Sequence, residues 1–330
     1  MRRMKKSKVL VGFLSLLIVT VVVWEGRAQS QEAYPTRPIE MIVPYAAGGS
    51  SDLHGRTVAS FLSKKLGVPV NVINKPGGNA IPGVLSVYNA NPDGYTLLVD
   101  GNTTNSMMGV AVKDLPFKVM DRTFVSITGF SPQLFVVAAK SPLQNMKDLA
   151  AEVKRDPENF KWTMHGAGTD SVGFAVRQFF KEIDVDIRKT KAITVAGGAP
   201  GVIMVAGGNA VLECTTVASA TPSLRAGTIK GLSVTSKDRD PNLPDVPTTA
   251  ESGYPNVNIM QSYVISGPPK LPAFIIAKLN KAMEEIFRDP EAIAKFRSIG
   301  IEISYHNSEA ARKFIIKESD DLSKLWSSVQ

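Results

Sequence analysis

Residues Ile39–Arg56 read IEMIVPYAAGGSSDLHGR, and this stretch decides the fold class. IEMIVP is a short apolar run of strand character, and it ends on a proline. AAGGSS follows as a turn, with Gly48 and Gly49 free to bend sharply and let a ligand approach the backbone. From Ser51 to Leu66 the apolar residues Leu53, Val58, Phe61, Leu62 and Leu66 fall near helical spacing. Strand, glycine turn and helix in that order make half of a β-α-β unit. Ser50 or Ser51 can cap the helix, leaving its first N–H groups directed outward. Those amides and the helix dipole favour an anion without any lysine or arginine. Asp52 would repel such an anion, so it is expected to cap or to pair with Arg56 one turn on.

Working outward, the alternation continues. VPVNVIN (68–74) is a strand, Ala80 to Ala90 a helix, and TLLVD (96–100) a strand. FVSITGF and LFVVAAK read as two strands separated by Ser131 and Pro132, and Asn145 to Lys154 as a helix. FKWTMHG (160–166) is a strand entering a second glycine turn, HGAGTDS (165–171), with a helix from Thr169 to Phe180. KAITVAG, a helix near Pro200 to Val205, AVLECTT and KGLSVTS follow. The Pro-rich stretch after Ser236 holds one short helix at Thr248 to Ser252, VNIMQSYVISGPP is β-rich, and the tail is helical. The pattern predicts an α/β protein with a parallel sheet and helices on both faces. Two glycine turns at carboxyl ends of strands would make a cleft. His165 abuts the second turn and is a candidate pocket-lining group.

Composition narrows the function classes. The chain has 330 residues, 44% hydrophobic and 21% charged, which suits a globular protein with a real core. The net charge is +8, but five of those charges belong to residues 1–28, leaving +3 for the rest. That is no footprint for nucleic acid. MRRMKKSK followed by the apolar run Val9–Trp24 and by Gly26, Arg27 and Ala28 reads as an export signal cleaved after about Ala28. The 16-residue run is short of the ~20 that span a bilayer, so a retained anchor is the rival. Cys214 is the only cysteine, which rules out an internal disulfide, and its apolar strand predicts a buried, inert thiol.

Catalytic constellations are missing. The sequence has no G-x-S-x-G elbow, no H-E-x-x-H, no phosphate loop and no full G-x-G-x-x-G; Ser171 stands where the third glycine would be. His54, His165 and His306 have no metal-ligand spacing and read mainly as surface or structural residues. Glu213 reads as a strand-end residue pointing outward, with a distal contact in the cleft as the alternative. No cofactor and no metal are expected. A Rossmann-like enzyme is the alternative that these absences disfavour.

The ordered motifs resemble the Bug family, the solute-binding receptors of tripartite tricarboxylate transporters. They are YPTRPIEMIVPYAAGGSSDLHGR (34–56), NKPGGNA (74–80), PDGYTLL (92–98), HGAGTDS (165–171), GGNAVLEC (207–214), RAGTIKGLSVT (225–235) and LPDVPTTAESG (243–253). The resemblance covers about residues 34–330. It implies a two-lobed periplasmic-binding-protein (Venus flytrap) fold with crossover strands, residues 33–131 plus 258–330 forming one lobe and 132–257 the other. It implies that Ala47, Gly48 and Ser51 from the first turn, and Gly166, Thr169 and Ser171 from the second, hold one carboxylate. The implied role is a periplasmic receptor, a monomer, handing a small carboxylate to membrane permease subunits; a sensor feeding a signalling partner is the other use of such a flytrap. Departures fall around His165, around Ala196-Gly197-Gly198, and at Val211, where the family often has an acidic residue. Specificity is therefore expected near His165, Gly197 and Val211.

Overall fold

A computed structural model describes residues 34–329, so the predicted export signal at 1–28 lies outside the described residues. In chain order the elements are β1 (Ile39–Val43), α1 (Ser50–Leu66), β2 (Val70–Asn74), α2 (Ile81–Tyr88), β3 (Thr96–Gly101), α3 (Met108–Ala111), β4 (Thr123–Ala138), α4 (Met146–Arg155) and β5 (Lys161–His165). Then come α5 (Ser171–Glu182), β6 (Lys191–Val195), α6 (Gly198–Ala206), β7 (Glu213–Thr216), α7 (Val217–Arg225), β8 (Ile229–Val234), β9 (Met260–Gly267), α8 (Ala273–Ile286), α9 (Pro290–Ser298) and α10 (Ser308–Val329). A π-helical turn, Thr103–Met107, leads into α3.

The sheet is mixed, which corrects the expectation of a parallel one. Its order is β2-β1-β3-β9-β4-β7, with β8 also paired to β4. Among the described strands, β1 with β2, β1 with β3, and the separate pair β5–β6 run parallel. β9 runs antiparallel between β3 and β4, and β4 is one 16-residue strand where two were expected. Its first part runs antiparallel to β9 as far as Pro132 opposite Met260. From Gln133 on it pairs antiparallel with β7 and β8. Pro132 has no N–H to give, and it falls where one set of partners hands over to the next, so the strand continues through it.

Each half of the molecule has its own core. Ile42, Val84, Val87, Leu98, Met108 and Phe117 form one cluster. Phe135, Leu149, Val153, Trp162, Phe179 and Phe180 belong to another. Cys214 is fully buried in the second, and burial pushes its thiol far up, so it is an inert apolar residue. Val211 packs against the same cluster.

Two local expectations change. Thr248–Ser252 is a turn, not a helix. Thr248 and Glu251 do form the reciprocal bonds of a capping box, but Gly253 at φ 95° and Pro255 stop the chain after one turn. Conversely, α7 was hidden by its Ser, Thr and Pro residues. It holds Pro222 inside and is fixed by the Thr216 cap and by burial of Val217, Ala218, Ser219 and Ala220.

His54 lies fully buried on α1, 2.7 Å from the Thr128 hydroxyl and stacked 4.6 Å from the Tyr263 ring. Burial lowers its pKa to about 3, so it is neutral. A depressed histidine contributes stability fully present above its unfolded value, about 6.5, and lost as pH falls toward 3. Buried Asp100 acts oppositely. Desolvation outweighs its Gly101, Arg122 and Tyr45 contacts and raises it to about 7, so its contribution is lost as pH rises to that value. The difference between wild type and His54→Gln isolates the histidine. In urea unfolding between pH 6.5 and 4, wild type is expected to lose on the order of 3 kcal/mol more than the variant. Equal losses in the two proteins would refute the assignment.

Candidate anion-binding site

Four helices begin at one cavity of about 40 Å³. Its wall includes Gly49, Ser50 and Ser51 at the start of α1, and Asp170, Ser171 and Val172 at the start of α5. Gly197, Gly198, Ala199 and Pro200 come from the start of α6, and Thr216 and Ser219 from the start of α7. Each helix start carries roughly half a positive charge from its aligned peptide dipoles. The caps of α1 and α6 are the glycines Gly49 and Gly197, which offer no side chain to the first amides. Gly197 sits at φ 134°, a conformation closed to other residues. The amides of Ser51, Ser171, Gly198 and Ala199 have no hydrogen-bond acceptor among the described residues. Such a convergence of unpaired N–H donors is an anion cradle.

Side chains hold the cradle's shape. The Ser171 hydroxyl donates to Gln261 Oε1 at 2.6 Å and accepts from Gln133 Nε2 at 2.9 Å, tying α5 to β4 and β9. The Ser50 amide donates to Ser219 Oγ at 2.9 Å, joining α1 to α7. Asp52 points away from the cavity. It accepts from the Gly48 amide and from Asn74 and pairs with Arg56 at 2.9 Å, so hydrogen bonds outweigh its desolvation and its pKa is lowered. Asp52 and Arg56 are thus a brace for the turn.

A second, wider cavity of about 450 Å³ adjoins the first. Tyr45, Thr103, His165, Asp170 and Gly197 line both. Neither wall carries a lysine or an arginine. Across the outer cavity Asn79 contacts the second turn, donating to Thr169 Oγ1 at 3.4 Å and accepting from the Ala167 amide at 3.5 Å.

His165 is held between two carboxylates, with Nδ1 3.1 Å from Asp170 and Nε2 2.7 Å from Glu213. Burial alone would lower its pKa, but attraction to Glu213 and bonds to Asp170 and Glu213 prevail and raise it to about 10. Burial also pushes Glu213 upward, against the pull of His165 and Thr163. Glu213 is fully buried and accepts from Thr163 as well. This corrects the outward-pointing reading: strand β7 turns this alternate position toward β5. A Cβ on Gly201 would lie 2.5 Å from Glu213 Oε2, which is why α6 has a glycine where it crosses the carboxylate.

The structure brings together Ser51, Ser171, His165 and Gly197 on the inner wall and puts Gly166 on the outer one. Ala47 and Gly48 are exposed and off both walls, and Thr169 faces Asn79 instead. The first turn is not capped by Ser50 or Ser51 as expected. Gly49 begins α1, and Asp170 begins α5 by accepting from the Gly173 amide. The α7 start is absent from the sequence reading, which places Glu213 near the cleft only as its second alternative. Gly-Gly-Ala-Pro at 197–200 carried a helix-start signal that could have identified the third amide set.

The sequence profile of the tripartite tricarboxylate transporter family receptor, TctC, matches residues 55–329. BugT of Bordetella pertussis is 29% identical over 294 residues, covering 88% of each chain. A UPF0065 protein of Agrobacterium vitis is 31% identical over 306 residues, 91% of this chain and 85% of its own. Among solved structures, the periplasmic binding protein BugD superposes with a TM-score of 0.84 at 26% identity, covering 90% of this chain and 98% of its own. An R. palustris protein solved with adipate gives 0.85 at 23% identity over 90% of this chain and 98% of its own, a likeness of fold alone. Profile, relatives and architecture agree: the chain belongs to the tripartite tricarboxylate transporter receptor family, the Bug periplasmic solute-binding proteins, with their two-lobed flytrap fold.

Proposed function

We propose that this chain is exported by its N-terminal signal and captures a small carboxylate between its lobes for the permease subunits of a tripartite transporter. The observation that carries the reading is the convergence of four helix starts, with unpaired amides, on one cavity free of lysine and arginine. The inner cavity of about 40 Å³ suits one carboxylate group, a space of roughly two to three waters. Backbone donors at Ser51, Ser171 and Ala199 and the Ser219 hydroxyl would bind it. Gly197 and His165 stand at the passage to the outer cavity, and Gly166 beyond it. Ala47, Gly48 and Thr169 act as turn and contact residues. On this reading the lobes divide at residues 131/132 and 257/258; in support, β4 exchanges β9 for β7 and β8 after Pro132.

A thermal-shift screen of the mature chain against small carboxylates and nucleotides tests this. At least one carboxylate is expected to raise the melting temperature, with the stabilisation reaching about 2.7 kcal/mol at a hundredfold excess over Kd. A shift with nucleotides and with no carboxylate would sink the reading.

A further inference from the structure

The two cavities meet at a neck whose only ionisable groups are Tyr45, His165 and Asp170. Behind it, His165 bridges Asp170 and Glu213 through two N···O contacts of 3.1 and 2.7 Å. Each contact needs one proton. Whether the second proton sits on the imidazole or on Glu213, two acids and one base then share a net charge of −1. The remaining lone pairs are satisfied locally: Thr163 donates to Glu213, and the Gly173 amide donates to Asp170. No cation of the wall balances the excess. The outer cavity adds Asn79, the turn Gly77-Gly78, and the apolar Pro44, Ala80 and Val195.

The arrangement is polar along its length. His165 and Asp170 border both cavities; at the inner end four helix starts outweigh their charge and attract one anion, whereas at the neck that charge repels a second and the outer wall has no cation to hold it. We propose that the ligand is a monocarboxylate whose far end is uncharged, seated in the outer cavity of about 450 Å³. This selects against dicarboxylates by electrostatics, because the outer space would hold a second carboxylate by size. The inference rests on the carboxylate-receptor reading above and goes beyond it to the ligand's charge.

Calorimetry at neutral pH with matched acids tests it: hexanoate against adipate, and benzoate against terephthalate. In the pair that binds, the monocarboxylate is expected to bind at least tenfold tighter than its dicarboxylate. With the second proton on the imidazole, Glu213→Gln leaves the cluster neutral and keeps an acceptor for His165 Nε2. It is expected to narrow the gap by strengthening dicarboxylate binding. A merely structural role for Glu213 would weaken both members of a pair alike. Dicarboxylates binding as tightly as their partners in wild type, or a variant that shifts both equally, would overturn the inference. If neither these acids nor any of the screened carboxylates binds, the receptor reading itself fails.

Discussion

Ala199→Trp is expected to weaken binding of the captured carboxylate at least a hundredfold while moving the melting temperature of the free protein by only a few degrees. Ala199 is the second residue of α6 and stands on the inner wall. A Cβ placed on Gly48 would lie 3.8 Å from its methyl, so the position lies close against the first turn. An indole is larger than the cavity of about 40 Å³ and would cover the Gly198 and Ala199 amides. Two charge-assisted hydrogen bonds lost at about 1.5–3 kcal/mol each amount to roughly a hundredfold or more. Ala199 is half-buried in a first helical turn, so the fold tolerates a large side chain there. Calorimetry and a circular-dichroism melt on the variant, with Ala199→Ser as control, read the two effects separately. Unchanged affinity would place the ligand elsewhere.

Glu213→Ala is expected to cost the free protein about 3–5 kcal/mol of unfolding free energy near pH 6, measured by urea denaturation. The variant leaves His165 with one carboxylate and Thr163 with only the Leu212 carbonyl at 3.3 Å as acceptor, and it opens a void beneath Gly201. Glu213→Gln keeps the hydrogen bonds and should cost much less. The pH dependence has a defined sign. His165 is raised to about 10, so its contribution is fully present below about 6.5 and lost as pH rises toward 10. The Ala penalty should therefore shrink between pH 6.5 and 9.5. A penalty independent of pH would mean that packing, not charge, holds the cluster.

Much of the site was legible in local sequence. AAGGSSD and HGAGTDS announce strand-to-helix turns because glycine and serine there have a backbone reason to exist. Asp52 with Arg56 could be set aside as a brace, since a carboxylate in a first turn repels an anion and finds a base four residues on. Glu213 could not be read. In an apolar strand, alternation alone leaves open which face a single acid takes, and only the proximity of His165, 48 residues away, makes burial affordable. The α7 start was equally hidden, because VASATPSLR has a loop's composition and is helical through its burial and its cap.

The sequence by itself determined the class of this protein and its two strand-to-helix glycine turns, because those follow from short-range backbone geometry. Only the tertiary structure decided that β4 runs unbroken past Pro132, that four helix starts meet at one cavity, and that His165 stands between two acids. These depend on contacts between distant residues, whose distances and burial no local pattern encodes.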